Sequence, residues 1–165
     1  MKGIKIVSAY VFSTENWSRS AREVGYLMRL LKRALVEETK ELDKKGIKIK
    51  VLGLPTKLDS QIKKLIEQTE TKTANNKNGT VNLCLNYGGR AEIVEAVKKI
   101  ITQKIPINKI TEEIISQNLW TVGQPDPDII VRTSGEMRLS GFLPWQAVYS
   151  ELYFQYNSSA SANST

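Results

Sequence analysis

Residues 4–23 read IKIVSAYVFSTENWSRSARE, and this stretch contains the pattern that decides the fold class. Residues 4–11 are mostly apolar and predict a buried β-strand. A polar loop follows over residues 13–19. Ser20 and Glu23 then form a capping-box pattern, in which Ser20 caps a helix and Glu23 reaches back to it. A strand joined to a helix by a polar loop is the repeating unit of α/β proteins.

The same alternation continues along the chain. A long helix is predicted from Ser20 to just before Gly46, with further helices over residues 61–73, 91–102, 111–119 and 142–148. Strands are predicted over residues 47–54, 81–85, 129–131 and 152–154. We therefore expect one α/β domain over residues 1–156, with a mostly parallel central sheet flanked by helices. The Ser/Asn-rich tail over residues 157–165 is predicted to be disordered.

Composition excludes several classes of function. The chain has 165 residues and a net charge of +7, which suits an anionic partner. Its lysines are dispersed and no nucleic-acid-binding motif is present, so we expect no nucleic-acid partner. The chain contains no histidine, which excludes a Ser-His-Asp triad and histidine-ligated metals. Because no signal peptide or run of 18 apolar residues occurs, we expect a cytoplasmic protein whose Cys84 is a buried, reduced thiol.

Residues 127–140, PDIIVRTSGEMRLS, form an apolar strand followed by a turn rich in charged and hydroxyl side chains. Arg132 and Arg138 offer planar, permanently charged forks that fit phosphate oxygens. Open α/β sheets bind ligands outside the carboxyl ends of their strands, where this turn is expected to lie. The pattern predicts a phosphate or diphosphate site. The alternative is a surface turn with several ion pairs.

A second polar loop, residues 12–19, also follows a strand and precedes a helix. In a parallel sheet both loops leave the same edge and could face one pocket. Hydroxyl, amide and guanidinium groups here suit an anion at a helix N-terminus, and Trp17 could form an apolar wall. The alternative is a capped loop with Trp17 in the core. A third turn, residues 86–90, is interpreted as structural because its glycines permit a tight turn.

Four segments together resemble the cis-prenyltransferases, and above all the bacterial undecaprenyl diphosphate synthases: residues 10–19, 86–90, 127–140 and 145–154. The resemblance implies that family's α/β fold. It also implies condensation of isopentenyl diphosphate onto an allylic diphosphate, commonly farnesyl diphosphate, with formation of cis double bonds. Mg²⁺ is implied as the cofactor that assists departure of the allylic diphosphate. A homodimer is implied, with transient membrane association through the lipid product.

The resemblance also implies roles for individual residues. Isopentenyl diphosphate is expected at Arg132, Arg138, Leu139 and Ser140. The substrate-binding loop is expected to contain Ser13, Thr14, Glu15, Trp17 and Arg19. Asn16 matches a position often assigned as the proton acceptor, but a neutral amide is a poor base, so we expect it to orient a diphosphate oxygen. Glu151 matches a magnesium position completed elsewhere in the dimer; by itself, such a carboxylate is more often solvated or ion-paired.

The sequence also departs from the family pattern. The family's first strand, its aspartate-bearing Met-Asp-Gly-Asn-Gly-Arg-Trp-type loop and its first helices have no counterpart here. Leu54, Gly141 and Pro144 replace a common aspartate, asparagine and leucine. We therefore expect a chain truncated at its start, with one diphosphate site, very low turnover alone and an exposed sheet edge. The alternatives are a non-catalytic partner subunit and an unrelated phosphate- or RNA-binding protein.

Overall fold

A computed structural model describes residues 3–155, so the tail predicted over residues 157–165 lies outside the described residues. The backbone divides into two compact units, within Met1–Gly88 and within Gly89–Thr165. The single domain predicted over residues 1–156 stays a prediction. The α/β class with parallel strands and flanking helices is confirmed in this structure.

The first unit contains three strands, β1 (Ile6–Ser13), β2 (Ile47–Leu52) and β3 (Gly79–Tyr87). The strands are parallel and lie in the order β1-β3-β2. Between them run helices α1 (Ala21–Lys44) and α2 (Ser60–Thr73). A buried apolar cluster joins the sheet to both helices and consists of Phe12, Leu31, Leu35, Leu58, Ile62 and Leu85.

Both helices of this unit begin at a capping side chain. Ser20 Oγ accepts a hydrogen bond from the Glu23 backbone N–H at 3.3 Å, so the predicted cap is confirmed. The Glu23 carboxylate does not reach back as predicted, because it pairs with Arg19 instead. Asp59 caps α2 by accepting from the Ile62 backbone N–H at 2.8 Å. That hydrogen bond, helped by Lys32, holds the pKa of Asp59 below its usual value.

The prediction of a buried strand over residues 4–11 differs from the structure in its bounds and in its burial. The strand runs over Ile6–Ser13, and it lies at the edge of the described sheet with β3 as its neighbour. Val7 and Val11 remain 37% and 42% exposed, whereas Phe12 is 3% exposed. An edge strand covered on one face produces this difference, and an apolar run alone does not distinguish it from a central strand.

The second unit contains helices α3 (Gly89–Thr102) and α4 (Glu112–Ser116), with a short 3-10 helix at Ile107–Lys109 between them. Strands β4 (Ile129–Arg132) and β5 (Glu151–Phe154) form a parallel pair. The unit buries Ala96, Ile100, Leu119, Ile130 and Leu143. Among residues 3–155, no helix is long and apolar enough to span a membrane.

Two predicted helices of this unit differ from the structure. The segment 142–148 forms turns rather than a helix. Gly141 and Leu143 have φ values of 78° and 47°, which lie in the left-handed region, and Pro144 lacks an N–H donor. The helix predicted over 111–119 is shorter, at Glu112–Ser116, and turns follow it. The remaining predicted elements occur with boundary shifts.

Candidate functional site

The first predicted loop is a compact 3-10 turn, here called the Trp17 loop, which consists of Ser13 and Thr14–Ser18. Asn16 holds it together. The Asn16 side-chain Oδ1 accepts from the Ser13 backbone N–H at 2.8 Å, and its main-chain oxygen accepts from the Arg19 N–H at 3.2 Å. Ser18 Oγ donates to the Glu15 carbonyl at 2.7 Å. Local hydrogen bonds therefore fix the loop at the end of β1.

The contact to Ser13 also restricts the chemistry available to Asn16. Oδ1 accepts a backbone N–H, and Nδ2 is the group of Asn16 that can donate to an anionic ligand. A donor complements an anionic oxygen and cannot remove a proton. This arrangement favours an orienting role for Asn16 over that of a base.

Trp17 belongs both to the loop and to the edge of the core. Its Nε1–H donates to Asn86 Oδ1 at 2.7 Å. Its ring packs edge-to-face on Phe12, with centroids 5.0 Å apart, and contacts the buried cluster. The Lys57 ammonium lies 6.0 Å from the ring centroid. The alternative that placed Trp17 in the core is therefore correct for part of the ring, and its role as a ligand wall stays a prediction.

Two ionisable groups, Tyr10 and Arg19, lie beside the loop. Burial and the nearby Glu15 carboxylate raise the pKa of Tyr10 to about 12, so its phenol is a neutral hydrogen-bond donor. The Arg19 guanidinium pairs with Glu23 at 2.8 Å, and the two side chains are 50% and 49% exposed. Such an exposed pair is weak, so an anionic ligand could displace Glu23 from Arg19 at small cost.

The second predicted site, here called the arginine turn, is residues 132–140, and one guanidinium organises it. Arg132 Nε donates to Ser134 Oγ at 3.0 Å, and Arg132 Nη1 donates to Ser140 Oγ at 2.8 Å. Nη1 also donates to the Arg138 carbonyl. Gly135 and Ser140 have φ values of 75° and 51°, and these left-handed conformations let the turn fold back on Arg132.

The remaining side chains of the turn divide between the two predicted alternatives. The Arg138 guanidinium forms an ion pair with the Glu136 carboxylate, as the surface-turn alternative expects. Ser140 and the Arg132 fork lie together, as a phosphate site requires. Leu139 is half-buried, and its carbonyl accepts from the Phe142 N–H at 3.0 Å. The structure thus brings Arg132, Arg138 and Ser140 into one turn.

Glu151 lies at the other end of the same strand pair. Ile129 pairs with Glu151, and Arg132 pairs with Phe154. Three residues of strand correspond to about 10 Å, so the Glu151 backbone is well separated from that of Arg132. Residues 3–155 contain no group of three or more Cys, Asp or Glu side chains that could hold a metal ion. The role of Glu151 in binding magnesium stays a prediction.

A cavity of about 370 Å³ lies in the second unit. Its walls are formed by side chains between Glu113 and Asp126, together with Trp145 and Gln146. None of the predicted site residues is among them. The cavity therefore does not identify the diphosphate site.

A profile of the protein family described as "Putative undecaprenyl diphosphate synthase" matches residues 1–158. This chain belongs to that family. The isoprenyl transferase of Prochlorococcus marinus is 44% identical over 153 residues, which make up 90% of this chain and 56% of the relative. The farnesyl-diphosphate-specific ditrans,polycis-undecaprenyl-diphosphate synthase of Pasteurella multocida is 43% identical over 156 residues, 92% of this chain and 65% of that protein.

A solved structure agrees with this assignment. Lavandulyl diphosphate synthase from Lavandula x intermedia, in complex with dimethylallyl diphosphate, matches with a TM-score of 0.88 at 33% identity. The match covers 93% of this chain and 68% of that chain. Measured against the two sequence relatives, the chain spans 56% and 65% of their length. The undecaprenyl diphosphate synthase resemblance seen in the sequence is therefore confirmed.

Sequence reasoning missed residues that support the Trp17 loop. Asn86 was assigned to a purely structural turn, yet it accepts the hydrogen bond from Trp17. Gly88 permits a close approach, because a Cβ there would lie 2.5 Å from Thr14 Oγ1. The available signal was an asparagine near a strand end, separated by one residue from two glycines. Asparagine tolerates the left-handed conformation that this position adopts, with φ of 49°.

Proposed function

We propose that this chain is part of a cis-prenyltransferase, and that the whole protein condenses isopentenyl diphosphate onto an allylic diphosphate to form new cis double bonds. The arginine turn carries the proposal. Arg132, Arg138 and Ser140 lie within one short turn and provide two guanidinium groups and a hydroxyl. This donor set complements a diphosphate.

The substrate class follows from the relatives. One relative is named as specific for farnesyl diphosphate, and another was solved with dimethylallyl diphosphate. Both compounds are allylic diphosphates of different length. An allylic diphosphate is therefore the proposed acceptor of the isopentenyl unit, and farnesyl diphosphate is our first choice.

In the proposed reaction, the isopentenyl alkene attacks the allylic carbon. A carbon–carbon bond forms, the bond between that carbon and the diphosphate oxygen breaks, and a proton leaves the isopentenyl unit. Arg132 and Arg138 hold the isopentenyl diphosphate, and Ser140 donates to one of its oxygens. The Asn16 amide donates to a diphosphate oxygen, which it orients to take the proton. Holding charged groups in a fixed arrangement lowers the barrier by electrostatic stabilisation and proximity.

Mg²⁺ is the proposed cofactor, because it would neutralise the departing diphosphate. Glu151 would supply one carboxylate. Since residues 3–155 lack a cluster of metal-binding side chains, the other ligands would have to come from the substrate, from a second subunit or from residues outside this range.

We also propose that the whole protein is a cytoplasmic homodimer that approaches the membrane through its lipid product. The β4–β5 pair supports the dimer, since it exposes several large apolar side chains: Ile129, Val131, Leu152 and Tyr153. Exposed apolar side chains on adjacent strands are typical of interaction surfaces. Nothing in the charge pattern favours nucleic acid as a partner.

The test is incorporation of radiolabelled isopentenyl diphosphate with farnesyl diphosphate and Mg²⁺. Three samples are compared: this chain alone, this chain extended at its start by the segment that the resemblance predicts, and this chain mixed with the Pasteurella multocida relative. We expect activity in the extended version and its loss in the extended Arg132→Ala variant. Stimulation only in the mixture would instead favour a partner subunit. The proposal would be contradicted if neither this chain alone nor its extended version showed activity or bound isopentenyl diphosphate.

A further inference from the structure

We propose that Asn86 is a positioning residue that holds the Trp17 loop and the β2–α2 loop, residues 53–59, in a single arrangement. Through this arrangement it sets the geometry in which the Trp17 loop meets a diphosphate substrate. The second statement rests on the proposed function; the first does not. Asn86 lies at the end of β3, between the ends of its neighbours β1 and β2.

The hydrogen bonds of Asn86 use both polar atoms of its side chain. Oδ1 accepts from Trp17 Nε1 at 2.7 Å. Nδ2 donates to the carbonyl oxygens of Leu54 at 2.9 Å and Thr56 at 2.8 Å. Because the amide is planar, the position of one loop fixes the direction of the bond to the other. Asn86 is 2% exposed, so water does not readily replace either contact.

The backbone around Asn86 adds a second restraint. The Asn86 carbonyl accepts from the Leu54 N–H at 3.1 Å. Gly53, with φ of 144°, lies so close to β3 that a Cβ there would be 1.9 Å from the Leu85 oxygen. The β2–α2 loop is therefore pressed against the end of β3 at the residue before Asn86.

The two loops that Asn86 joins carry groups that a ligand would contact, the Asn16 amide and the Lys57 ammonium. Trp17 and Asn16 are neighbours in one 3-10 turn, so a rotation of Trp17 would also move the Asn16 amide. Lys57, in the β2–α2 loop, has its ammonium 6.0 Å from the Trp17 ring centroid. A cation of the β2–α2 loop thus lies near the ring of Trp17, and the residue before Trp17 carries the amide donor. Loss of Asn86 would release both.

Asn82 provides a matched control within the same strand. It is also fully buried, and its Nδ2 donates to Ser8 Oγ at 2.9 Å, between β3 and β1. It therefore contacts the sheet interior instead of the two loops. Asn82→Asp should lower stability about as much as Asn86→Asp without moving either loop.

The first measurement is amide hydrogen exchange in this chain. Asn86→Asp keeps the size of the side chain and an acceptor for Trp17, but it points an oxygen at the carbonyls of Leu54 and Thr56. We expect exchange to rise at least about tenfold in residues 14–19 and 53–58, and to stay unchanged there in Asn82→Asp. Trp17→Phe, which removes the indole donor and keeps a smaller aromatic ring, should raise exchange in both loops. Unchanged exchange in the β2–α2 loop of both Asn86→Asp and Trp17→Phe would overturn the coupling.

The second measurement is farnesyl diphosphate binding by calorimetry in the chain extended at its start, together with kcat and KM in the same extended chain. We expect Asn86→Asp and Trp17→Phe each to weaken binding or lower kcat/KM about tenfold, and the double variant to lose little more. Asn82→Asp should stay within about twofold. Equal losses in Asn86→Asp and Asn82→Asp would reduce Asn86 to a structural role. A wild-type protein that binds no diphosphate would instead refute the proposed function, while exchange would still decide the coupling.

Discussion

The Trp17 loop and the arginine turn both follow the carboxyl end of a parallel strand, but they are held in different ways. The Trp17 loop is attached to the core through the buried Asn86 and the half-buried Trp17 ring. The arginine turn is held by exposed hydrogen bonds from the Arg132 side chain to hydroxyl and carbonyl groups of other residues in the turn. One region depends on the packing of its unit, and the other depends mainly on a single side chain.

The two regions should therefore differ in how much free energy is needed to break their hydrogen bonds. A buried hydrogen bond that loses one partner leaves an unsatisfied polar group, which costs about 1–3 kcal/mol. An exposed contact exchanges with water or ligand at far smaller cost. The Trp17 loop should therefore be rigid before substrate arrives, whereas the arginine turn should exchange its internal acceptors for phosphate oxygens. Mutations in the first region should lower stability and change affinity through the loop geometry, whereas those in the second should change affinity with little effect on stability.

The largest expected effect comes from two matched glycine substitutions. Gly53→Ala should lower the free energy of unfolding by at least about 3 kcal/mol, because its Cβ would overlap the Leu85 oxygen. Gly135→Ala has open space around it and should cost about 1–2 kcal/mol, for the left-handed backbone alone. Urea denaturation of both variants tests this. Equal costs would contradict the contrast between the tight packing beside Asn86, which anchors the Trp17 loop, and the open arginine turn.

A second expected effect concerns Arg132 and isopentenyl diphosphate. Arg132→Ala should raise the dissociation constant on the order of 10- to 100-fold, as expected for loss of charge-assisted hydrogen bonds. Arg132→Lys should recover little of this, since a lysine lacks the planar fork. Arg33→Ala, on the exposed side of α1, is the control and should bind like the wild type. The unfolding free energy of all three should change by less than about 1 kcal/mol. A large loss of stability in Arg132→Ala would show that the turn is not independent of its unit's packing.

The pH dependence of stability should report on Tyr10, which lies in β1 just before the Trp17 loop. The pKa of Tyr10 is raised to about 12, above the value of an unfolded chain. Its contribution is fully present below about pH 10 and is lost as pH rises through about 12, because the unfolded chain releases the proton first. The Tyr10→Phe variant should not lose stability in this pH range. The Tyr26→Phe variant, changed at an exposed position of α1, should lose stability like the wild type. Denaturation curves between pH 9 and 12 would show the difference, and identical curves for both variants would exclude Tyr10 as its source.

The smallest expected effect is at the exposed ion pair beside the loop. Glu23→Ala should change the unfolding free energy by less than about 0.5 kcal/mol, since both partners are about half exposed. It also frees Arg19, so diphosphate binding should strengthen or stay the same. Thermal denaturation and calorimetry measure the two quantities. Weaker binding in Glu23→Ala would mean that Glu23 positions Arg19 rather than competing for it.

Local sequence patterns were sufficient for most helices and strands. The helical spacing of apolar residues and the Ser20 cap predict α1, and alternation with apolar runs predicts the α/β class. The motif order also identifies the family that the profile matches. These features depend on residues close in sequence, where propensity and capping determine the outcome.

The remaining features depend on contacts between distant residues. The edge position of β1 follows from strand order, and the distance from Glu151 to Arg132 follows from strand register. The left-handed φ of Leu143 is set by its surroundings and is unusual for leucine. The hydrogen bond from Trp17 to Asn86 joins residues 69 positions apart, so neither residue type alone indicates it.

The edge position of β1 has a practical consequence for work with this polypeptide. In the described part of the chain, β1 has a hydrogen-bonded neighbour on one side, and Val7 and Val11 are exposed along it. A second molecule in solution can add its own strand there. We therefore expect the usable protein concentration to be limited by this strand, and Val7→Lys to raise that limit while leaving the arginine turn's ligand affinity unchanged.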